Sequence, residues 1–306
     1  MEQRHVLLDY YKILLSIFVV IIHIPFFKET PTCQGLMNDN IARIAVPSFF
    51  IINGYFLFTV LEKGHFFKYI KRSILLYIFW MVVYLPFYFS DLNIKKIVVT
   101  LFFGWHHLWY IIAWIVSSII ITIIYKSKFN TKVCFIISLS FIFLGYFLQF
   151  TDIHNFHFYR NALSCSFPFI LIGYLINKNK ILQKRFKYID LLILFSLTVF
   201  ILESFFLKEY FNLHHKFIKH IDITLSSLIL SPLLFYWIMN KKTKNLKLTP
   251  FISKLSAGIY FIHVLFIYLG RYLGLTEFSL LFFVLITSFI SSYFLFLINK
   301  KLKFIL

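Results

Sequence analysis

Four residues of the first apolar stretch carry groups that a lipid-facing helix avoids: Asp9, Lys12, Ser16 and His23. Ionisable side chains are costly in hydrocarbon, and where they occur they line protein interiors or polar paths. Lys12 and His23 lie eleven residues apart, close to three helical turns, so they share a face. Asp9, three residues before Lys12, and Ser16, four after it, extend that face into one polar seam. A neutral imidazole near pH 7 suits either a general base or a nucleophile that briefly carries a transferred group, so His23 is the candidate for one of these roles and Asp9 and Lys12 are its charged companions. A plainer reading makes Asp9 and Lys12 an interfacial ion pair and His23 a residue at the outer boundary.

Other clusters repeat the mixture of polar and aromatic groups. His106, His107, Trp109 and Tyr110 open one apolar stretch, although an aromatic belt alone would account for the last two. Arg160 precedes another stretch that contains Gly173 and Tyr174, and it can equally be a loop cation. Ser256, Tyr260 and His263 fall on one face of a third, where a hydrogen-bonded core histidine is the plainer reading. Arg43 leads into a stretch in which Pro47, Asn53 and Gly54 predict a broken helix of the kind that lines cavities, with Tyr55 following. Lys68, Lys71 and Arg72 form a basic cluster that fits lipid headgroups or the phosphates of a cofactor.

The elements that must position these residues are membrane helices. Of the 306 residues, 60% are hydrophobic and 14% charged, against roughly 25% charged in soluble domains. Water-soluble folds are excluded, because one core cannot hide that much apolar surface. A span needs about 20 apolar residues. Ten segments approach that length, near 7–27, 41–60, 71–89, 108–125, 133–150, 162–177, 188–207, 222–239, 254–273 and 278–299. The stretch 92–105 is shorter and suits the interface. The expected fold is an all-α membrane protein of about ten transmembrane helices, one domain over residues 1–306, with the first span retained and not cleaved as a signal peptide.

The net charge of +19 would suggest nucleic acid in a soluble protein, but here it reads as orientation. With the N-terminus cytoplasmic, 21 of the 31 basic residues fall on inside segments, among them Arg4, Lys242, Lys244 and Lys247. Nine fall outside, among them Lys28, Lys216 and Lys219, and Lys12 lies within the first span. Both termini are therefore expected in the cytoplasm, with no nucleic-acid partner. Cys33, Cys134 and Cys165 are too scattered for a disulfide framework or a zinc site, and no metal is expected.

Taken in order, these residues resemble the acyltransferase-3 family of integral membrane acyltransferases. Members typically begin with Asp, then Arg or sometimes Lys, then His eleven residues on, which here are Asp9, Lys12 and His23. The family's Arg-x-x-Val-Pro-x-Phe-Phe-x-x-Ser-Gly-Tyr pattern is similar to Arg43 through Tyr55. Its basic entry to the third span resembles Lys71 and Arg72, and its His-x-Trp-Tyr resembles His107, Trp109 and Tyr110. Its Arg before a Gly-Tyr helix resembles Arg160, and its Ser-x-x-Ile-Tyr-x-x-His resembles Ser256, Tyr260 and His263. Two departures stand out. Lys12 replaces the usual Arg, which turns a bidentate contact into a point charge. Asn53 replaces the usual Ser. The fused extracytoplasmic hydrolase-like domain of some relatives is not expected.

The resemblance implies transfer of an acetyl or similar acyl group from acyl-CoA, on the cytoplasmic side, to a hydroxyl of a surface or cell-envelope glycan. It places His23, Lys12 and Asp9 at the chemistry and Lys68, Lys71 and Arg72 at the acyl-CoA phosphates. It assigns Arg43, Asn53, Tyr55, His107, Trp109, Arg160, Ser256, Tyr260 and His263 to substrate binding. Acetyl-CoA is then a co-substrate and no cofactor is bound permanently. The partners are the lipid bilayer and a glycan acceptor, self-association into a homo-oligomer is left open, and the location is the bacterial cytoplasmic membrane, crossed many times. A polysaccharide exporter or flippase that uses the same seam as a polar path is the alternative.

Overall fold

The structure is a computed structural model, and it describes residues 5–24, 35–89, 93–151, 156–213, 221–241 and 250–306. Arg4, Lys28, Cys33, Lys216, Lys219, Lys242, Lys244 and Lys247 lie outside the described residues.

The described residues form eleven α-helices together with short 3-10 and π-helical turns, with no strand among them. They are α1 Val6–His23, α2 Ala45–Glu62, α3 Phe66–Tyr88, α4 Ile94–Phe103, α5 Trp109–Lys126, α6 Thr131–Leu148, α7 Phe167–Lys178, α8 Ile189–Leu213, α9 Ser227–Asn240, α10 Ile252–Tyr272 and α11 Glu277–Leu302. Each of the ten apolar segments contains one of them, and α4 occupies the shorter stretch. Eight helices are long and apolar enough to cross a membrane. Two shorter apolar runs, Ala162–Lys178 and Ser227–Asn240, contain α7 and α9.

The helices pack as two compact units. One comprises Met1–Phe49 with Arg185–Leu306, and the other Phe50–Lys184. Lipid tails are as apolar as leucine, so apolar helices gain little by merely meeting. They associate through close packing and interhelical hydrogen bonds. Both devices are present among the described helices.

In the first unit, α1 and α10 run in the same direction. The Ser16 hydroxyl donates to the Ser256 carbonyl at 2.9 Å. Seven residues further along both helices, the rings of His23 and His263 stack with centroids 5.4 Å apart. Two matched contacts separated by the same seven-residue step require parallel helices, and seven residues is close to two full turns. Val20, Ile21, Leu255, Ile259, Leu280 and Val284 fill the space between α1, α10 and α11. In the same unit Glu203 on α8 holds the start of α9, its carboxylate accepting from the Leu225 and Ser226 amides at 2.7 and 2.8 Å and from the Ser226 hydroxyl. A carboxylate at a helix N-terminus satisfies orphan donors and complements the helix dipole.

In the second unit, α2 crosses α7 backbone to backbone. A Cβ on Gly54 would lie 2.0 Å from the Ile170 carbonyl oxygen, and one on Gly173 would lie 2.1 Å from that of Ile51. The Asn177 amide reaches across to the Tyr55 carbonyl at 2.7 Å and the Thr59 hydroxyl at 3.1 Å. This corrects the expectation of a broken helix. Pro47 sits in the first turn of α2, where proline is tolerated because that amide has no helical partner. Asn53 and Gly54 continue the helix without interruption, and Gly54 serves close approach.

Candidate functional site

The first unit holds the seam of α1. Asp9, which is buried, forms an ion pair with Lys12, whose side chain stays partly exposed. One turn further, Ser16 also contacts the Lys12 carbonyl at 3.0 Å, which ties the seam to its own helix as well as to α10. Tyr11, on the neighbouring face, donates to the Ser48 hydroxyl at 2.9 Å, a contact not anticipated from the sequence.

At the far end of the seam stand the two histidines. His263 is fully buried, and its Nδ1 lies 2.7 Å from the Tyr260 carbonyl and 3.2 Å from that of Ile259. A carbonyl can only accept, so Nδ1 carries the proton, and in the neutral ring Nε2 keeps its lone pair. The Tyr260 ring lies 6.2 Å from that of His263. Ser256, Tyr260 and His263 thus share the face predicted for them. That face meets the α1 seam at both Ser16 and His23.

Arg43 lies in a 3-10 turn, Ile41–Ile44, just before α2. Its Nη1 pairs with the Asp222 carboxylate at 2.7 Å, and both side chains are about nine-tenths covered. Neither Asp222 nor Glu203 stood out in the sequence. A lone acid in a loop looks solvated until its partner, 179 residues away, is placed beside it.

The second unit holds the other candidates. Asn53 donates to the Tyr110 hydroxyl at 2.6 Å, and Phe50 stacks on the Tyr110 ring at 4.5 Å. Tyr55 offers its carbonyl to Asn177 and sets its ring edge-on to Phe56. The Arg160 guanidinium lies over the Trp109 ring at 5.2 Å, a cation–π contact that joins two residues singled out separately. His107 is buried and meets the Tyr84 ring edge-on at 5.1 Å. His157, in the turn before α7, packs against Phe103 at 4.6 Å. Burial, helped by the nearby Arg160 charge, pushes the His157 imidazole below its ordinary pKa.

Lys68, Lys71 and Arg72 lie on the first turns of α3 and are exposed. Tyr69 between them points inward and accepts from the Trp114 indole at 2.5 Å. Tyr84, Tyr69 and Trp114 carry these contacts beside Tyr110, and these three read as ordinary span aromatics in the sequence. Cys134 and Cys165 are both buried.

The family model for an acyltransferase domain matches residues 6–297. The chain belongs to the acyltransferase-3 family. Its many long apolar helices agree with a membrane protein of that family. Three relatives are named for a different activity. An amino-acid racemase from Enterococcus faecalis is 25% identical, over 99% of this chain and 47% of that protein. A serine/alanine racemase from Enterococcus gallinarum is 26% identical, over 84% of this chain and 40% of that protein. A second Enterococcus faecalis amino-acid racemase is 27% identical, over 44% of this chain and 20% of that protein. The chain spans less than half the length of these relatives, so more than half of each lies outside the match. No solved structure matches the chain.

Proposed function

We propose that this protein is a membrane O-acyltransferase that moves an acetyl or similar acyl group from acyl-CoA, on the cytoplasmic side, to a hydroxyl of a cell-envelope glycan. The observation that carries this reading is the stacked His23–His263 pair at the end of the α1 seam, within a chain of acyltransferase family. In the proposed step His23 takes the acceptor proton as the hydroxyl oxygen attacks the thioester carbonyl. The carbon–sulfur bond breaks, and the thiolate leaves with a proton as coenzyme A. His107, Trp109, Arg160, Asn53 and Tyr55 of the second unit, and Arg43, Ser256, Tyr260 and His263 of the first, are read as acceptor-binding groups. The exposed Lys68, Lys71 and Arg72 are read as the phosphate contacts of the acyl donor, and Asp9 as the group that holds Lys12.

This reading places the chain in the bacterial cytoplasmic membrane as ten spans with both termini inside. The parallel run of α1 and α10 supports it. Two parallel spans need an odd number of crossings between them. Five long helices lie between α1 and α10, so the short helices α7 and α9 both cross or neither does. The basic residues favour both.

The test uses purified protein in liposomes, acetyl-CoA labelled in the acetyl group and an envelope glycan. Transfer of label is expected, and His23→Ala should abolish it while the protein still inserts. Full transfer by that variant would sink the role of His23. A second reading, a polar path for a solute without acyl chemistry, is favoured by the amino-acid names of the relatives. It would show as serine or alanine flux across the same liposomes with no label transferred.

A further inference from the structure

The end of α1 is held by a residue that neither the motif nor the family match singles out. Asn38 lies in a π-helical turn, Gly35–Asn40, and its side chain is buried. Its amide nitrogen donates to the Ile21 carbonyl at 2.5 Å and to the Ile24 carbonyl at 3.0 Å. These two carbonyls bracket His23, one two residues before it and the other one residue after.

The physical need is plain. A helix leaves its last four carbonyls without intrahelical partners. Here that end is packed among buried apolar residues, Val20, Ile24, Leu280 and Val284 among them, where an unbonded carbonyl costs about 1–3 kcal/mol, and the Ile24 amide reaches the Ile21 carbonyl only at 3.2 Å. A primary amide carries two N–H bonds on one nitrogen and can serve two carbonyls at once. No aliphatic residue can do this, and a hydroxyl has only one hydrogen to give.

We infer that Asn38 is a positioning residue for His23. It clamps the last turn of α1 so that the His23 ring keeps its place against His263. The other side of the mount is already fixed, because Ser16 registers α1 against α10 one heptad below and the His263 ring is anchored through Nδ1 to Tyr260. α10 sets how far along the seam His23 stands, and Asn38 stops the final turn from unwinding. Asn38 touches no reacting atom in this scheme and acts through the backbone on either side of His23.

The inference rests on the proposed role of His23, and the test separates the two. Asn38→Leu removes both donors at similar volume, and Asn38→Ser leaves one. In liposomes with labelled acetyl-CoA, Asn38→Leu should lower kcat about 100-fold, the scale of a misplacement of about 1 Å, with KM for acetyl-CoA unchanged. Asn38→Ser should fall between it and the parent. Hydrogen exchange of the Ile21–Ile24 amides should quicken about tenfold in Asn38→Leu, as local opening becomes easier, while exchange in α8 and α9 stays as it was. A folded Asn38→Leu with parental kcat would overturn the inference. So would a loss in which KM moves with kcat and exchange quickens throughout the first unit, since that marks general destabilisation. If Asn38→Leu does not fold, Asn38→Ser is judged by the same measures. Full transfer by His23→Ala would instead strike the reading of His23, and the exchange at Ile21–Ile24 would still report the clamp.

Discussion

Two helix pairs in this protein meet for opposite reasons. α1 meets α10 through side chains that hydrogen-bond or stack, Ser16 on Ser256 and His23 on His263. α2 meets α7 with almost nothing between the backbones, because Gly54 and Gly173 remove the Cβ atoms that would hold them apart. The first contact keeps polar groups in a defined place. The second gains stability from packing and carries no ionisable group at the crossing. Among apolar surroundings helices associate through packing and interhelical hydrogen bonds; α2 and α7 add the Asn177 hydrogen bonds to their glycine contact, and the candidate chemistry lies where α1 and α10 meet through polar groups.

The contrast can be broken at its strongest points first. Arg43→Ala removes a buried ion-pair partner of Asp222 and should cost up to about 3–5 kcal/mol, read as loss of folded protein during thermal melting in detergent. An Arg43→Ala melt equal to the parent would show the pair to be solvated. Gly173→Ala drives a methyl into the Ile51 carbonyl and should cost about 3 kcal/mol with the same readout, whereas alanine at Ser256, on the polar contact, should be tolerated. Equal melting of these two variants would erase the distinction.

Smaller changes sharpen it. Asn53→Ser installs the residue common in the family but shortens the reach to Tyr110, and should cost about 1 kcal/mol. Restored stability in Asn53→Ser with Tyr110→Phe would confirm the coupling in a double-mutant cycle. Least of all is the His157 effect. Its folded pKa is depressed, so below about pH 6.5 the unfolded chain takes up the proton more readily than the folded one. Stability is complete above that pH and falls as pH drops toward the folded pKa. His157→Phe should flatten this part of a melting-against-pH curve, and an unchanged slope would assign it to another group.

The helices were legible because apolar length is a local property. Each of the ten segments read from hydropathy contains a helix of the structure, and the seam of α1 followed from its spacing. The reading failed at Gly54, where a helix-breaking residue was taken to break a helix. Glycine in a span can equally permit close approach, and only the neighbour decides which. Asp222, Glu203 and Asn38 were invisible for a related reason. A single polar residue in a connecting segment has no period, and its partner lies far along the chain, 179 residues away for Arg43 and Asp222.

The sequence by itself determined that this is a helical membrane protein of the acyltransferase-3 pattern. It also determined which face of α1 carries Asp9, Lys12, Ser16 and His23, because composition and the 3.6-residue repeat act within one segment. The tertiary structure decided what that face meets. It set His263 beside His23, tied Asn38 to the carbonyls around it, and paired Arg43 with Asp222. These are contacts between distant segments, and they depend on how helices register against one another, which no local pattern records.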